Sequence, residues 1–337
     1  MLKKFQIIGM TILVLSISFL LVSPIYCSEK AEITLRFAHE APEDNPRHLA
    51  AIYFADFVEK ETEGRVKVEV YHSGQLGSER ELVEAVSIGT NIDITMAGAG
   101  EFSTYVPELQ LIEMPYLFPD YAVAHVVIDG PIGKKLTDPL IEHNIRVLAF
   151  WENGFRHITN NVRPINTPED LKGLKIRTNK SKMRMATFAA YGATPVPIDF
   201  PELYMALSQG VVDGQENPLS NIYYAKFQDV QKYLSLTGHV YGAFLLAISE
   251  STWKKLPDDI KYILLKAAIT AGAYHRSMIL EEDRTLVIEL EKEGMKVNKP
   301  PSIVPFQKIA KEVWAQFAEE YGEGLVKELL EAAGAEY

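Results

Sequence analysis

The chain is nearly without cysteine: Cys27 is the only one in 337 residues, so no internal disulfide can staple the fold. Basic residues are also in short supply, and a formal charge of −11 would repel the phosphates of nucleic acid, which excludes a general nucleic-acid partner. No G-x-S-x-G, H-E-x-x-H or P-loop stretch occurs, so the common signatures of serine hydrolases, zinc peptidases and nucleoside triphosphatases are missing. The histidines, His39, His48, His72, His125, His143, His157, His239 and His275, are scattered without metal-ligand spacing, and neither a metal nor a cofactor is expected. GAGEFS at Gly98 to Ser103 imitates a dinucleotide fingerprint, but Ser103 stands where the third glycine belongs.

What is present is enough apolar material, 47% of the residues, to bury a large core, over a length that suggests two domains. The N-terminus, MLKKFQIIGMTILVLSISFLLVSP, orders two lysines, an apolar run and a proline in the manner of a secretory signal peptide, assigned to residues 1–28. A retained anchor is the alternative, because the run is about long enough to cross a bilayer. Lipidation at Cys27 is a further one, although Pro24-Ile25-Tyr26 lacks the small residue that lipoprotein processing prefers. No later stretch is long and apolar enough to span a membrane.

Strand and helix patterns alternate after the leader. EITLRFAHE alternates as a strand, HLAAIYFADFVEKETEG has helical spacing closed by Gly64, and RVKVEVY is a strand. SERELVEAVSIG reads as a helix with Ser78 as N-cap and Glu81 three residues on, and IDITMAG as a buried strand. Such βαβαβ units pair in parallel and place ligands beyond the carboxyl ends of the strands. Alternation restarts after a boundary near Glu152 to Gly154: RHITN, LKIRT, ATPVPI and VVDGQEN as strands, SKMRMATFAAYG and ELYMALSQG as helices. Two restarts imply two lobes with a cleft between them. From Pro257 to Gly294 a single helical pattern without internal proline would form a rod of roughly 50 Å able to brace both lobes, unless it breaks near Gly272.

In the second unit Arg156 and Arg177 both end apolar strands where the cleft should open, and a guanidinium suits a planar carboxylate. Their surroundings carry a resemblance. GRVKVEVYHSGQLGSERE, GFRHITNNVRPINTPEDLKGLKIRT, GATPVPIDFPELYMALSQGVVDGQENPL and DVQKYLSLTGHV resemble the periplasmic substrate-binding proteins of tripartite ATP-independent periplasmic (TRAP) transporters, which bind C4-dicarboxylates, sialic acid and sugar acids. The resemblance implies a two-lobed α/β periplasmic-binding-protein fold with a cleft between the lobes and a long bracing helix. Lobe I would take residues 31–153 with about 243–282, and lobe II residues 154–242 with about 283–337.

It further implies that Arg177 clamps a ligand carboxylate, that Arg156 and Asn217 assist, and that Phe200 packs on the ligand. His39, Glu40 and Glu79 would meet its far end, Gly98 would approach by backbone, and Tyr241 and Phe244 would stand near a crossover between lobes. The implied protein is a periplasmic monomer and not an enzyme, with a small organic acid as ligand and the small and large membrane permease components as partners. A far end lined by His39 and Glu79 favours a hexuronate or related sugar acid over a C4-dicarboxylate, because acceptor carboxylates suit hydroxyls. Two other readings stay open: a secreted enzyme acting on acidic sugars with Glu79 and His39 as acid and base, and a binding protein that feeds a sensor kinase.

Overall fold

The computed structural model describes residues 31–335; the expected leader, residues 1–28 with Cys27, lies outside the described residues. The first half opens as the periodicities require, with β1 (Ile33–Ala38), α1 (Pro46–Glu61), β2 (Val66–Tyr71), α2 (Glu79–Ile88) and β3 (Ile94–Gly98). Ser78 and Glu81 form the reciprocal capping box at the start of α2, satisfying two donors that the first turn would otherwise leave unpaired. Two 3₁₀ segments, Ala99–Thr104 and Pro107–Glu113, lead to α3 (Tyr121–Ile128), α4 (Pro131–Thr137) and the long strand β4 (Ile145–Phe155).

The second alternation comprises β5 (His157–Asn160), β6 (Lys175–Thr178), α5 (Lys182–Ala190), β7 (Thr194–Pro197), α6 (Phe200–Ser208), β8 (Gly214–Asn217), α7 (Leu219–Tyr224) and β9 (Tyr233–Ser235). The chain then returns as β10 (Tyr241–Ser249) and continues with α8 (Glu250–Lys255), α9 (Asp258–Lys292), β11 (Lys296–Asn298), α10 (Val304–Tyr321) and α11 (Glu323–Ala333).

Two sheets result. The first has the order β2-β1-β3-β10-β4 and the second β11-β9-β5-β8-β6-β7. Neither is wholly parallel, contrary to the expectation from βαβ alternation: β10 runs antiparallel between β3 and β4, and β5 runs antiparallel between β8 and β9. The reason is connectivity, since both reversed strands belong to the two segments that pass between sheets. The outgoing segment at Arg156 and the returning one at His239–Val240 run side by side, with Arg156 N–H donating to the Val240 carbonyl at 2.9 Å. Just before the crossing, Gly154 takes φ +106°, and a Cβ there would stand 3.1 Å from the Tyr121 hydroxyl oxygen.

The rod is unbroken: α9 runs for 35 residues, about 50 Å, straight through Gly272. Gly272 is there for packing, because a Cβ would come within 2.9 Å of the Trp151 ring. Its N-terminal part buries Leu264, Ala267, Ala268 and Ala271 with the first sheet, and Leu286 and Leu290 join the second sheet's cluster. The brace touches both halves. The C-terminal helices α10 and α11, expected with lobe II, bury Trp314, Phe317, Leu329 and Leu330 in one cluster with Leu117, Phe118 and Leu136 of the first half, and α10 also packs on α5.

Candidate functional site

Between the two sheets lies a cleft with about 560 Å³ of empty space, part of it open to solvent. Strand ends and helix starts supply its walls. Arg177, Asn217 and Phe200 come from β6, β8 and the start of α6, while Glu40 and Gly98 follow or end β1 and β3, and Arg47 and Glu79 begin α1 and α2.

On the wall of the second sheet three arginines are buried: Arg156, Arg177 and Arg184 are 2%, 3% and 2% exposed. Arg156 is committed to Glu216, its Nε to one carboxylate oxygen and its Nη2 to the other at 2.8 Å, with a further bond to Asn217 Oδ1 at 3.0 Å. Arg184 is committed to Glu113 at 2.5 and 3.1 Å and reaches Glu216 at 3.3 Å. Burial alone would raise the Glu216 carboxyl, but the Arg156 and Arg184 guanidiniums overcome it and hold Glu216 well below the usual carboxylate range. Arg177 differs. Its Nε donates to the Ile198 carbonyl at 2.7 Å, and among the described residues it forms no ion pair. Burial pulls its pKa down to about 10, against the pull of Glu216, so it keeps its charge at neutral pH. Asn217 gives one amide hydrogen to Gln215 Oε1, which leaves the other for the cleft.

The wall of the first sheet has the opposite composition. Glu79 accepts from Arg47 at 2.7 Å and from Gly98 N–H at 2.8 Å. Arg47 in turn lies 4.0 Å over the Phe244 ring and donates to the Met96 carbonyl. Glu40 Oε1 accepts the Glu79 N–H at 2.6 Å, the first orphan donor of α2. Arg80 stands 3.5 Å from Glu101, whose other oxygen accepts from Asn179 of the opposite wall at 3.1 Å. A second contact across the gap is Asn45 to Asn221 at 3.5 Å.

Eight of the ten residues singled out from the sequence line this cleft: Arg177, Arg156, Asn217, Phe200, Glu79, Glu40, Gly98 and Phe244. His39 and Tyr241 do not. His39 is fully buried, with Nδ1 accepting from Ala41 N–H at 3.1 Å and Nε2 shared with His48 at 3.2 Å, so its strand-end position does not aim it at the cleft. Tyr241 sits among the rings of Phe118, Tyr121 and Phe155. Nor do Gly98 and Phe244 act as expected on position alone: the Gly98 N–H serves Glu79, and Phe244 is the platform for Arg47. Sequence reasoning missed Arg47, Glu101, Arg184 and Glu216. Only Glu216 carried a signal, as the residue before Asn217 on a strand that ends in the cleft.

Comparison with known proteins agrees with this arrangement. Residues 37–320 match the model of the family described as bacterial extracellular solute-binding protein, family 7. The 2,3-diketo-L-gulonate-binding periplasmic protein of Escherichia coli (strain K12) is 37% identical over 80% of this chain and 82% of its own length. A TRAP periplasmic solute-binding protein from Polaromonas sp. JS666, solved with D-erythronate, superposes with a TM-score of 0.86 at 38% identity over 88% of this chain and 98% of its own. One from Sulfurospirillum deleyianum, solved with succinate, has a TM-score of 0.85 at 36% identity over 89% and 98%. With the two-sheet α/β architecture in common and most of its length matched, the chain belongs to the bacterial extracellular solute-binding proteins of family 7.

Proposed function

We propose that this protein is the extracytoplasmic receptor of a TRAP transporter, which takes a small organic acid by its carboxylate at Arg177, closes around it and presents it to the membrane permease subunits. One observation carries the reading: of the four buried arginines that line the cleft, Arg47, Arg156, Arg177 and Arg184, Arg177 alone lacks a carboxylate partner among the described residues. A buried guanidinium with an unanswered fork loses stabilisation until a planar anion replaces the water it gave up. The Nη1 of Arg156, without a hydrogen-bond partner among the described residues, and the second amide hydrogen of Asn217 complete the set of donors. Phe200 covers the ligand's apolar side.

Lobe I, proposed to comprise residues 31–153 with about 243–282, then meets the ligand's other end, and contacts such as Glu101 to Asn179 form as the lobes close. Its wall of carboxyl groups suits hydroxyls, so a sugar acid is proposed ahead of a C4-dicarboxylate. The ligand is expected to leave chemically unchanged. A cleaved leader would deliver the protein to the periplasm, and the small and large permease components are the proposed partners.

The test is a thermal-shift and calorimetric screen of residues 31–337 against D-erythronate, D-galactonate, D-glucuronate and succinate. A ligand of the native state raises the melting temperature by mass action. Stabilisation by one acid, recovered intact, supports a receptor. Turnover of any acid, or no stabilisation together with no acid released on unfolding the purified protein, would refute it.

A further inference from the structure

The wall of the first sheet holds two neighbouring carboxyl groups and one cation placed to serve them. Glu79 has taken that cation, Arg47 at 2.7 Å, and a backbone N–H from Gly98 besides. Glu40, 6% exposed, is left with a single bond, from the first N–H of α2 to its Oε1. Among the described residues its Oε2 has no hydrogen-bond partner, and the residue lines the cleft. Ionised, Glu40 would be a buried carboxylate beside a second carboxylate, stabilised only by a helix-end N–H and by guanidiniums at longer range.

The charged and titratable groups around it can be weighed. The α2 N-terminus, Arg47 and Arg177 favour the anion, whereas burial first and Glu79 second oppose it, and together they push the Glu40 carboxyl up to about 8. Glu101, further along the wall, is raised to about 7 by burial and by Glu79. His39 and His48 behind Glu40 are lowered by burial and stay neutral, with His72 beyond them. Of the two arginines that favour ionised Glu40, Arg47 is engaged by Glu79, and Arg177 is the one a bound carboxylate would neutralise.

We propose that Glu40 is the group through which lobe I recognises the ligand, donating a hydrogen bond as an uncharged carboxylic acid to a hydroxyl or carbonyl oxygen at the far end. The inference rests on the carboxylate-binding reading of Arg177. It makes capture of the anion and retention of a proton on Glu40 mutually favourable, because each state disfavours the loss of the other.

Affinity is therefore expected to be level between pH 6 and 7 and to fall by up to about tenfold per pH unit above pH 8. Calorimetry in buffers of different ionisation enthalpy reads the proton directly. With the acid of the above panel that binds best at pH 6.5, wild-type protein should take up a fraction of a proton, roughly half, on binding at pH 8.5. Glu40→Gln should abolish that uptake and flatten the pH profile, and Glu101→Gln should leave both in place. Zero uptake by the wild type, or uptake that survives Glu40→Gln, would overturn the proposal. Should Glu40→Gln fail to fold, the wild-type uptake decides alone. Absence of binding by every panel acid at pH 6.5 is a separate result, which refutes the carboxylate reading itself and this inference with it.

Discussion

The two walls of the cleft are near mirror images in charge. On the side of the second sheet three buried guanidiniums, Arg156, Arg177 and Arg184, meet two carboxylates, Glu216 of β8 and Glu113, which the 3₁₀ segment Pro107–Glu113 of the first half brings to Arg184. On the side of the first sheet three carboxyl groups, Glu40, Glu79 and Glu101, face two guanidiniums, Arg47 and Arg80. Each wall thus keeps one group unanswered, a cation on one side and an acid on the other. Among the described residues no ion pair joins Arg177 to Glu40, so the protein does not spend one on the other. A cleft that paired them would close on itself. Held apart, they are complementary to a molecule with a carboxylate at one end and neutral oxygens at the other.

Three substitutions test this asymmetry, in decreasing order of effect. Glu216→Gln should be the most damaging to the fold, since it leaves the buried Arg156 guanidinium without a carboxylate partner and takes the second one from Arg184. Breaking a buried pair costs roughly 3 to 5 kcal/mol, and a fall in melting temperature of several degrees is expected from calorimetric scans. A variant as stable as the wild type would mean that the charges of this wall are not balanced as described. Glu79→Gln should have an intermediate effect. It frees Arg47, 5% exposed at its side chain, costs about 1 to 3 kcal/mol of stability, and removes the neighbour that helps to keep Glu40 protonated, so the pH at which binding weakens should move downward. The direction is fixed by sign: losing a nearby negative charge favours ionisation, so the fall in affinity should begin at lower pH. Asn179→Ala, which removes the 3.1 Å contact to Glu101 across the cleft, should be mildest, about 0.5 to 1.5 kcal/mol in ligand affinity with little change in the melting of the unliganded protein.

How much of this was legible depended on whether a residue's role is set locally. Arg177 was legible because the run PEDLKGLKIRT around it carries the family resemblance, and the structure supports its place: β6 (Lys175–Thr178) follows a capped 3₁₀ turn at Thr167 to Asp170 and pairs on both sides, which fixes where its end points. The Ser78–Glu81 capping box and the 35-residue helix were local patterns too. The partners were not. Arg184 and Glu113 are 71 positions apart and Arg47 and Glu79 are 32, so each reads in isolation as a polar residue near the start of a helix or turn. The antiparallel insertion of β10 was hidden for another reason. YGAFLLAIS is buried at every position, which erases the period-two signal that marks a half-exposed strand. His39 misled because a strand end in such sheets usually faces the ligand side, whereas here the ring turns back to His48.

The most direct measurement of the central claim is the calorimetric affinity of Arg177→Ala for whichever panel acid binds the wild type. If Arg177 is the cation reserved for the ligand, affinity should fall more than about a hundredfold, the order expected for losing one partner of a buried ion pair. The melting temperature of the unliganded variant should hold or rise, because a buried charge without a counter-ion has been removed. Affinity within about threefold of the wild type, in a variant that folds, would contradict the account.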